Sequence, residues 1–194
     1  ECVSNRAAHD SIWSHLKRQL WWESSNHMCN LLVQNIKHTN GTTAQTINSN
    51  GLTIPRVPCF RAYPNASQTI SSSYTYTKLN INTEDFDVGG YYDTSNYRYT
   101  PQVAGIYYIQ LGVALTSVNA IVGVIYKNGT IYQNGGIMQN SGYSYNTSIT
   151  TGLVSMNGSS DYIEAFGNSS STNQVVVGGS AYTNFSAVLV GALS

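Results

Sequence analysis

Between residues 60 and 194 apolar and polar positions alternate in short runs, and Gly, Asn and Ser separate one run from the next. Alternation with a period of two predicts half-buried β-strands. The runs are Thr75–Ile81, Ala104–Val118, Ala120–Tyr126, Thr130–Gln133, Ser148–Met156, Tyr162–Phe166, Gln174–Val177 and Phe185–Val190. The clearest hairpin is VGVIYKNGTIY, with Asn128-Gly129 at the two turn positions where φ must be positive. No stretch of this region carries a helical period. Many short strands with regular turns predict an all-β sandwich or barrel. The run IVGVIY is apolar at both parities, so both of its faces should be covered. The expected covers are the core on one side and a neighbouring subunit on the other.

Two shorter stretches precede this region. Residues 28–59 contain LLVQNIKHTNGTTAQTINSNGLTIP, where alternating residues are punctuated by Asn40-Gly41 and Asn50-Gly51. That pattern predicts short strands joined by tight turns. It carries too few apolar residues to fold without partner chains. Residues 1–27 read as an amphipathic helical leader or anchor. Asp10 and Ser11 suit an N-cap, Ile12, Trp13, Leu16, Leu20 and Trp21 share one broad face, and Lys17, Arg18 and Gln19 lie opposite. Exposed tryptophans on a lone helix need cover, so Trp13, Leu16, Leu20 and Trp21 are candidate particle-docking residues. The alternatives are packing on the chain's own trimer, a membrane-surface helix, or an added leader with the natural chain opening at Met28. A basic face of Lys17 and Arg18 alone argues against the membrane reading.

Composition narrows the partners. Only 9% of residues are charged, against about 25% in ordinary globular chains, and the formal net charge is +0. Nine basic residues, scattered along the sequence, cannot make the clustered phosphate-binding surface of a nucleic-acid partner. A surface so poor in charge favours burial against copies of itself. No apolar run approaches the roughly 20 residues that would span a bilayer, so membrane insertion is not expected. The first residues do not read as a signal peptide. Cys2, Cys29 and Cys59 show no metal or disulfide spacing and read as free thiols. The seven Asn-x-Ser/Thr sequons read as chance in a chain rich in Asn, Ser and Thr.

Catalytic chemistry is thinly supplied. The four histidines, His9, His15, His27 and His38, all precede the main region, so no Ser/His/Asp site can form within it. Its acids are Glu84, Asp85, Asp87, Asp93, Asp161 and Glu164. The first three precede Gly89-Gly90 and read as a solvated loop rather than a glycosidase pair. Asp85, Asp87 and Asp93 are the candidate Ca²⁺ ligands, without EF-hand spacing. No cofactor is expected. Tyrosine is the better lead, because 15 of them offer apolar area and a hydroxyl in one side chain. YYDTSNY and NSGYSYNTS read as loops, which makes Tyr91, Tyr92, Asn96, Tyr97, Tyr143 and Tyr145 candidate receptor contacts. Stacking of Tyr143 or Tyr145 on a sugar ring is the specific hypothesis, and a framework loop is the alternative. Tyr107, Tyr108, Val124, Tyr126 and Phe185 are candidates for core or subunit interface.

The ordered elements Phe60-x-Ala62, KLNINTEDFDVGGYYD, YRYTPQVAGIYYIQLGVAL, YKNG, SMNGSSDYIEAFG and FSAVLV resemble the C1q/tumour-necrosis-factor-like jelly-roll domain. The resemblance covers residues 60–194. It implies a ten-stranded jelly roll, tight homotrimers held by aromatic and aliphatic side chains, ligand recognition by loops and no enzymatic activity. LLVQNIKHTNGTTAQTINSNGLTIP resembles the N-terminal segments of structural proteins from tailed bacteriophages, which implies a short β-rich attachment segment at residues 28–59. Together these give the expected function: a trimeric domain on a virion fibre or appendage that adheres to a host-surface glycan or protein. Residues 1–59 would dock it to other virion structural proteins. The alternatives are a virion cement protein without a receptor role, and a secreted C1q/TNF-like binding module.

Overall fold

The structure is a computed structural model that describes residues 35–37, 43–48, 51–53, 56–116, 120–138 and 145–192. Residues 1–27 and Tyr143, with the calls made on them, lie outside the described residues. The chain divides into two units, residues 1–55 and 56–194. In the first, β1 (Asn35–Lys37), β2 (Thr43–Asn48) and β3 (Gly51–Thr53) form a three-stranded antiparallel sheet in that order.

The second unit is all-β. Its strands are β4 (Cys59–Tyr63), β5 (Gln68–Ile70), β6 (Thr77–Lys78), β7 (Thr83–Val88), β8 (Tyr92–Asp93), β9 (Arg98–Tyr99), β10 (Gly105–Leu115), β11 (Ile121–Lys127), β12 (Thr130–Asn134), β13 (Gly136–Met138), β14 (Asn146–Met156), β15 (Ile163–Ser169), β16 (Gln174–Val176) and β17 (Asn184–Gly191). The larger sheet runs β13-β14-β10-β17-β4-β7, with β16 bridging β10 and β5. The smaller runs β12-β11-β15-β9-β8, with β6 on β15. Every pairing is antiparallel, and strands distant in sequence are neighbours in both sheets: β4, the first strand of this unit, pairs with β17, the last.

The alternation read in the sequence becomes the two faces of these sheets. In β10, Tyr107, Ile109, Leu111, Val113 and Leu115 point into the sandwich. They meet Ile121, Ile125, Ile163 and Ala165 of the smaller sheet in one cluster. One end of this core is aromatic. Phe60 stacks on Tyr92 at 4.7 Å and on Tyr99 at 4.3 Å between ring centroids, and meets Phe185 edge-on at 5.1 Å. Tyr99 in turn meets Tyr107 edge-on at 6.0 Å. Such pairs add to the stabilisation that burial already supplies.

The hairpin turn forms as expected, with φ of 51° at Asn128 and 78° at Gly129. The Asn128 side chain locks it: its Nδ2 donates to Asp161 Oδ1 at 2.8 Å and its Oδ1 accepts from the Tyr162 N–H at 2.9 Å. Two expectations need correction. Glu84, Asp85 and Asp87 lie in β7, on the edge of the larger sheet, and not in a loop. An edge strand with one face toward water tolerates such charges. The second outer face of IVGVIY also needs no partner subunit at its centre. Val124 is fully buried within one chain, on the face of β11 opposite the core cluster, where Tyr126 stacks on Phe166 at 4.0 Å.

Candidate functional site

Cross-strand register fixes what the larger sheet shows on its outer face. Tyr108 of β10 sits opposite Leu153 of β14 and Val188 of β17, and Val188 sits opposite Cys59 of β4. Directly paired residues share a face, so Leu153, Tyr108, Val188 and Cys59 make one apolar row across four strands. Val190, two residues beyond Val188 on β17, extends it, whereas Ile149 pairs with Gly112 on the far side of the next row. Leu153 is 59% exposed, Val190 56% and Ile149 53%. The next row is polar: Thr151, Gln110, Ser186 and Arg61. Arg61 is held by an ion pair with Asp85 and by donation from its Nη2 to the Ser180 carbonyl at 2.7 Å. A contiguous apolar row of this kind on a sheet face marks an interaction surface.

The candidate loop tyrosines separate into different roles. Tyr92 is a core residue and not a loop contact. It is buried, and its hydroxyl donates to the Ile81 carbonyl at 2.7 Å. Burial pushes its phenol far above the usual tyrosine range. Tyr91 packs partly buried against the core cluster. The turn that follows is closed by Asp93, whose Oδ1 accepts from the Ser95 and Asn96 N–H groups at 2.8 and 3.0 Å. Asn96 also donates from its side chain to Asp93 Oδ2 at 2.6 Å. These bonds, the side-chain one first, hold the Asp93 carboxyl below the usual carboxylate range. Tyr97 leaves this turn at a φ of 53°. Tyr145 is exposed at the start of β14, 5.0 Å from the ring of Tyr182, which the sequence reading did not single out. Tyr107 and Phe185 are core, Tyr108 is on the outer apolar row, and Tyr126 is partly buried on the outer face of the smaller sheet.

The charged groups are mostly engaged with one another. Glu164 is nearly buried and receives Lys78 Nζ at 2.6 Å and Arg98 Nε at 2.9 Å. The Arg98 guanidinium also lies 3.7 Å over the Tyr162 ring. Lys127 pairs with Asp161 at 3.0 Å. Asp85, Asp87 and Asp93 do not converge: Asp85 pairs with Arg61, Asp87 Oδ2 accepts from the Tyr92 N–H, and Asp93 closes its own turn. Among the described residues no three acids, histidines or cysteines are grouped as a metal site.

Leu153, Ile149 and Val190 were also not singled out from the sequence. The signal was present for two of them, since Ser148–Met156 is apolar at both parities, as IVGVIY is.

No family model matches the chain, and no curated protein matches it. Solved structures do. Eiger TNF from S. frugiperda superposes with a TM-score of 0.56 at 7% identity, covering 72% of this chain and 96% of its own. Murine APRIL superposes with a TM-score of 0.53 at 14% identity, covering 69% of this chain and 99% of its own. The globular domain of zebrafish complement 1qA also matches, at 12% identity and a TM-score of 0.49. The first two superpositions show that the fold of this chain is a jelly roll of the TNF type, with two stacked antiparallel sheets and pairing of the first strand with the last.

Proposed function

We propose that the chain is a homotrimeric, non-enzymatic adhesion module of a virion appendage. The observation that carries this reading is the uncovered row of Leu153, Tyr108 and Val188, extended by Val190, on the outer face of the larger sheet. Copies of the same chain are its occupants. The low charge of the chain supports burial of such a face, and the resemblance of residues 60–194 to C1q/TNF-like domains implies trimers. The resemblance of residues 28–59 to phage structural proteins supports the virion setting, with residues 1–59 as the attachment to neighbouring proteins. The domain then works by holding three equivalent binding surfaces on one particle-bound unit, so that modest single-site affinity becomes firm attachment.

The test is light scattering on the full chain at micromolar concentration. Wild type should have three times the monomer mass, and Leu153→Lys should shift it toward monomer while leaving the unfolding profile cooperative. A monomeric wild type overturns the assembly. Adsorption of the purified protein to host cells, with competition against infection, separates adhesion from a cementing role in the particle.

A further inference from the structure

The outer face of the smaller sheet holds a concavity of about 360 Å³ that none of the loop tyrosines considered above lines. Its lining includes Tyr74, Tyr76, Val122, Asn134, Asn168 and Ser170. These come from four separate places in the sequence: the connection before β6, strand β11, the end of β12, and the end of β15.

Each wall is held in place. Tyr74 sits at a φ of 55°, a backbone region that bulky residues rarely occupy, and its N–H donates to the Ser169 carbonyl at 2.7 Å. Its side chain is nonetheless 76% exposed. Tyr76 is braced edge-on against Tyr126 at 6.0 Å, and Tyr126 is itself stacked on Phe166. Val122 supplies an apolar surface from β11. Ala120 and Gly135 complete the apolar part, and three polar side chains face the same space: the amides of Asn134 and Asn168 and the hydroxyl of Ser170 have no hydrogen-bond partner among the described residues. Among the described residues no charged side chain lines the concavity.

We infer that this concavity is a binding site for a neutral saccharide. A pyranose ring carries C–H groups on its faces and hydroxyls around its rim. The C–H face is weakly positive and suits the negative face of a tyrosine ring. The hydroxyl rim needs uncommitted donors and acceptors, and an amide offers both at once. An anionic sugar would find no cation here, and a wholly apolar ligand would bury two amides without partners, which is costly. The volume is within the range of small-ligand sites. Bracing of Tyr76 and the fixed backbone of Tyr74 mean that little freedom is lost when a ligand arrives. The inference rests on the adhesion reading and gives it a ligand class and a place. It stands on the opposite sheet from the apolar row, so assembly through that row leaves the concavity open.

The experiment is an array of immobilised neutral hexose and N-acetylhexosamine oligosaccharides, with sialylated and uronic-acid sugars as controls, followed by saturation-transfer NMR on any hit. The wild-type chain should bind a neutral oligosaccharide. Tyr74→Ala and Asn168→Ala should each weaken that binding by about tenfold, Tyr74→Phe should preserve it, and Val103→Ala, at an exposed residue outside the lining, should leave it unchanged. Oligomer mass and unfolding temperature should stay at wild-type values in all four. No binding to any neutral oligosaccharide by wild type overturns the inference, as does binding that survives both Tyr74→Ala and Asn168→Ala. If wild type adsorbs to host cells and both variants adsorb equally, the concavity fails and adhesion stands. If the oligosaccharide binds in the concavity and no host cell is adsorbed, adhesion fails and the site stands.

Discussion

Tyr107 and Tyr108 are consecutive in β10 and lie on opposite faces of one sheet, the first fully buried and the second 40% exposed. Tyr107 meets Tyr99 in the aromatic end of the core, and its hydroxyl donates to the Val103 carbonyl at 2.8 Å. Tyr108 stands in the apolar row between Leu153 and Val188. The two should therefore fail in different ways. Tyr107→Ala should cost about 3–5 kcal/mol of folding stability through the cavity it leaves. Tyr108→Ser should leave the protomer folded and weaken self-association. Chemical denaturation and light scattering on the same samples separate these outcomes.

Tyr92 and Tyr99 both stack on Phe60, yet only Tyr92 has a partner for its hydroxyl among the described residues. Tyr92→Phe should cost about 1–2 kcal/mol, because the Ile81 carbonyl is left unpaired in a buried site. Tyr99→Phe should be neutral or stabilising, since the bare ring keeps the stacking and removes a buried polar atom. Equilibrium denaturation of the two variants measures the contrast.

Gly158 turns the chain at a φ of 72°, and a Cβ there would come within 2.3 Å of the Ala104 backbone nitrogen. Backbone cannot move aside as a side chain can. Gly158→Ala should destabilise the fold by about 2 kcal/mol or more. A fall in the midpoint of thermal unfolding without a change in oligomer mass would be the expected record.

Alkaline pH should unfold the domain. Burial raises the phenol of Tyr107 to about 12, and that of Tyr92 and Tyr99 further still. In the unfolded chain all three ionise near pH 10. A group whose folded pKa is raised contributes stability that is complete below its unfolded value and is lost as pH rises through its folded value. Stability should thus hold up to about pH 10, fall most steeply between about pH 10 and 12, where all three phenols are ionised only in the unfolded chain, and fall more gently above that as Tyr107 ionises in the folded state as well. Tyrosinate absorbance and circular dichroism recorded together should show these three phenols ionising along with the loss of folded structure.

How far the sequence could be read depends on how local each signal is. The strands β10, β11, β12 and β14 were legible because period-two alternation is written within each of them, and Asn128-Gly129 carries its own turn geometry. The acids of β7 misled, because an edge strand puts charge in water as readily as a loop does. Tyr92 was misplaced for a related reason. In YYDTSNY nothing marks which ring turns inward; the carbonyl of Ile81, eleven residues earlier, decides it. The saccharide site was invisible. Its lining residues, from Tyr74 to Ser170, meet only when β6, β11, β12 and β15 have come together. Isolated tyrosines and asparagines are common in this chain, and only convergence makes four of them a site.

The pairing of β4 with β17 sets a timetable for synthesis. Cys59–Tyr63 leaves the ribosome long before Asn184–Gly191 has been made, and about 120 residues separate the two strands. At roughly 5–20 residues per second, the early strand waits on the order of ten seconds for its partner. During that interval the sheet lacks the strand that lies between β4 and β10. The nascent chain must hold Phe60 and Tyr107 without Phe185 and the strand that joins their two strands, so its yield in a cell should depend on chaperone supply more than its final stability would suggest.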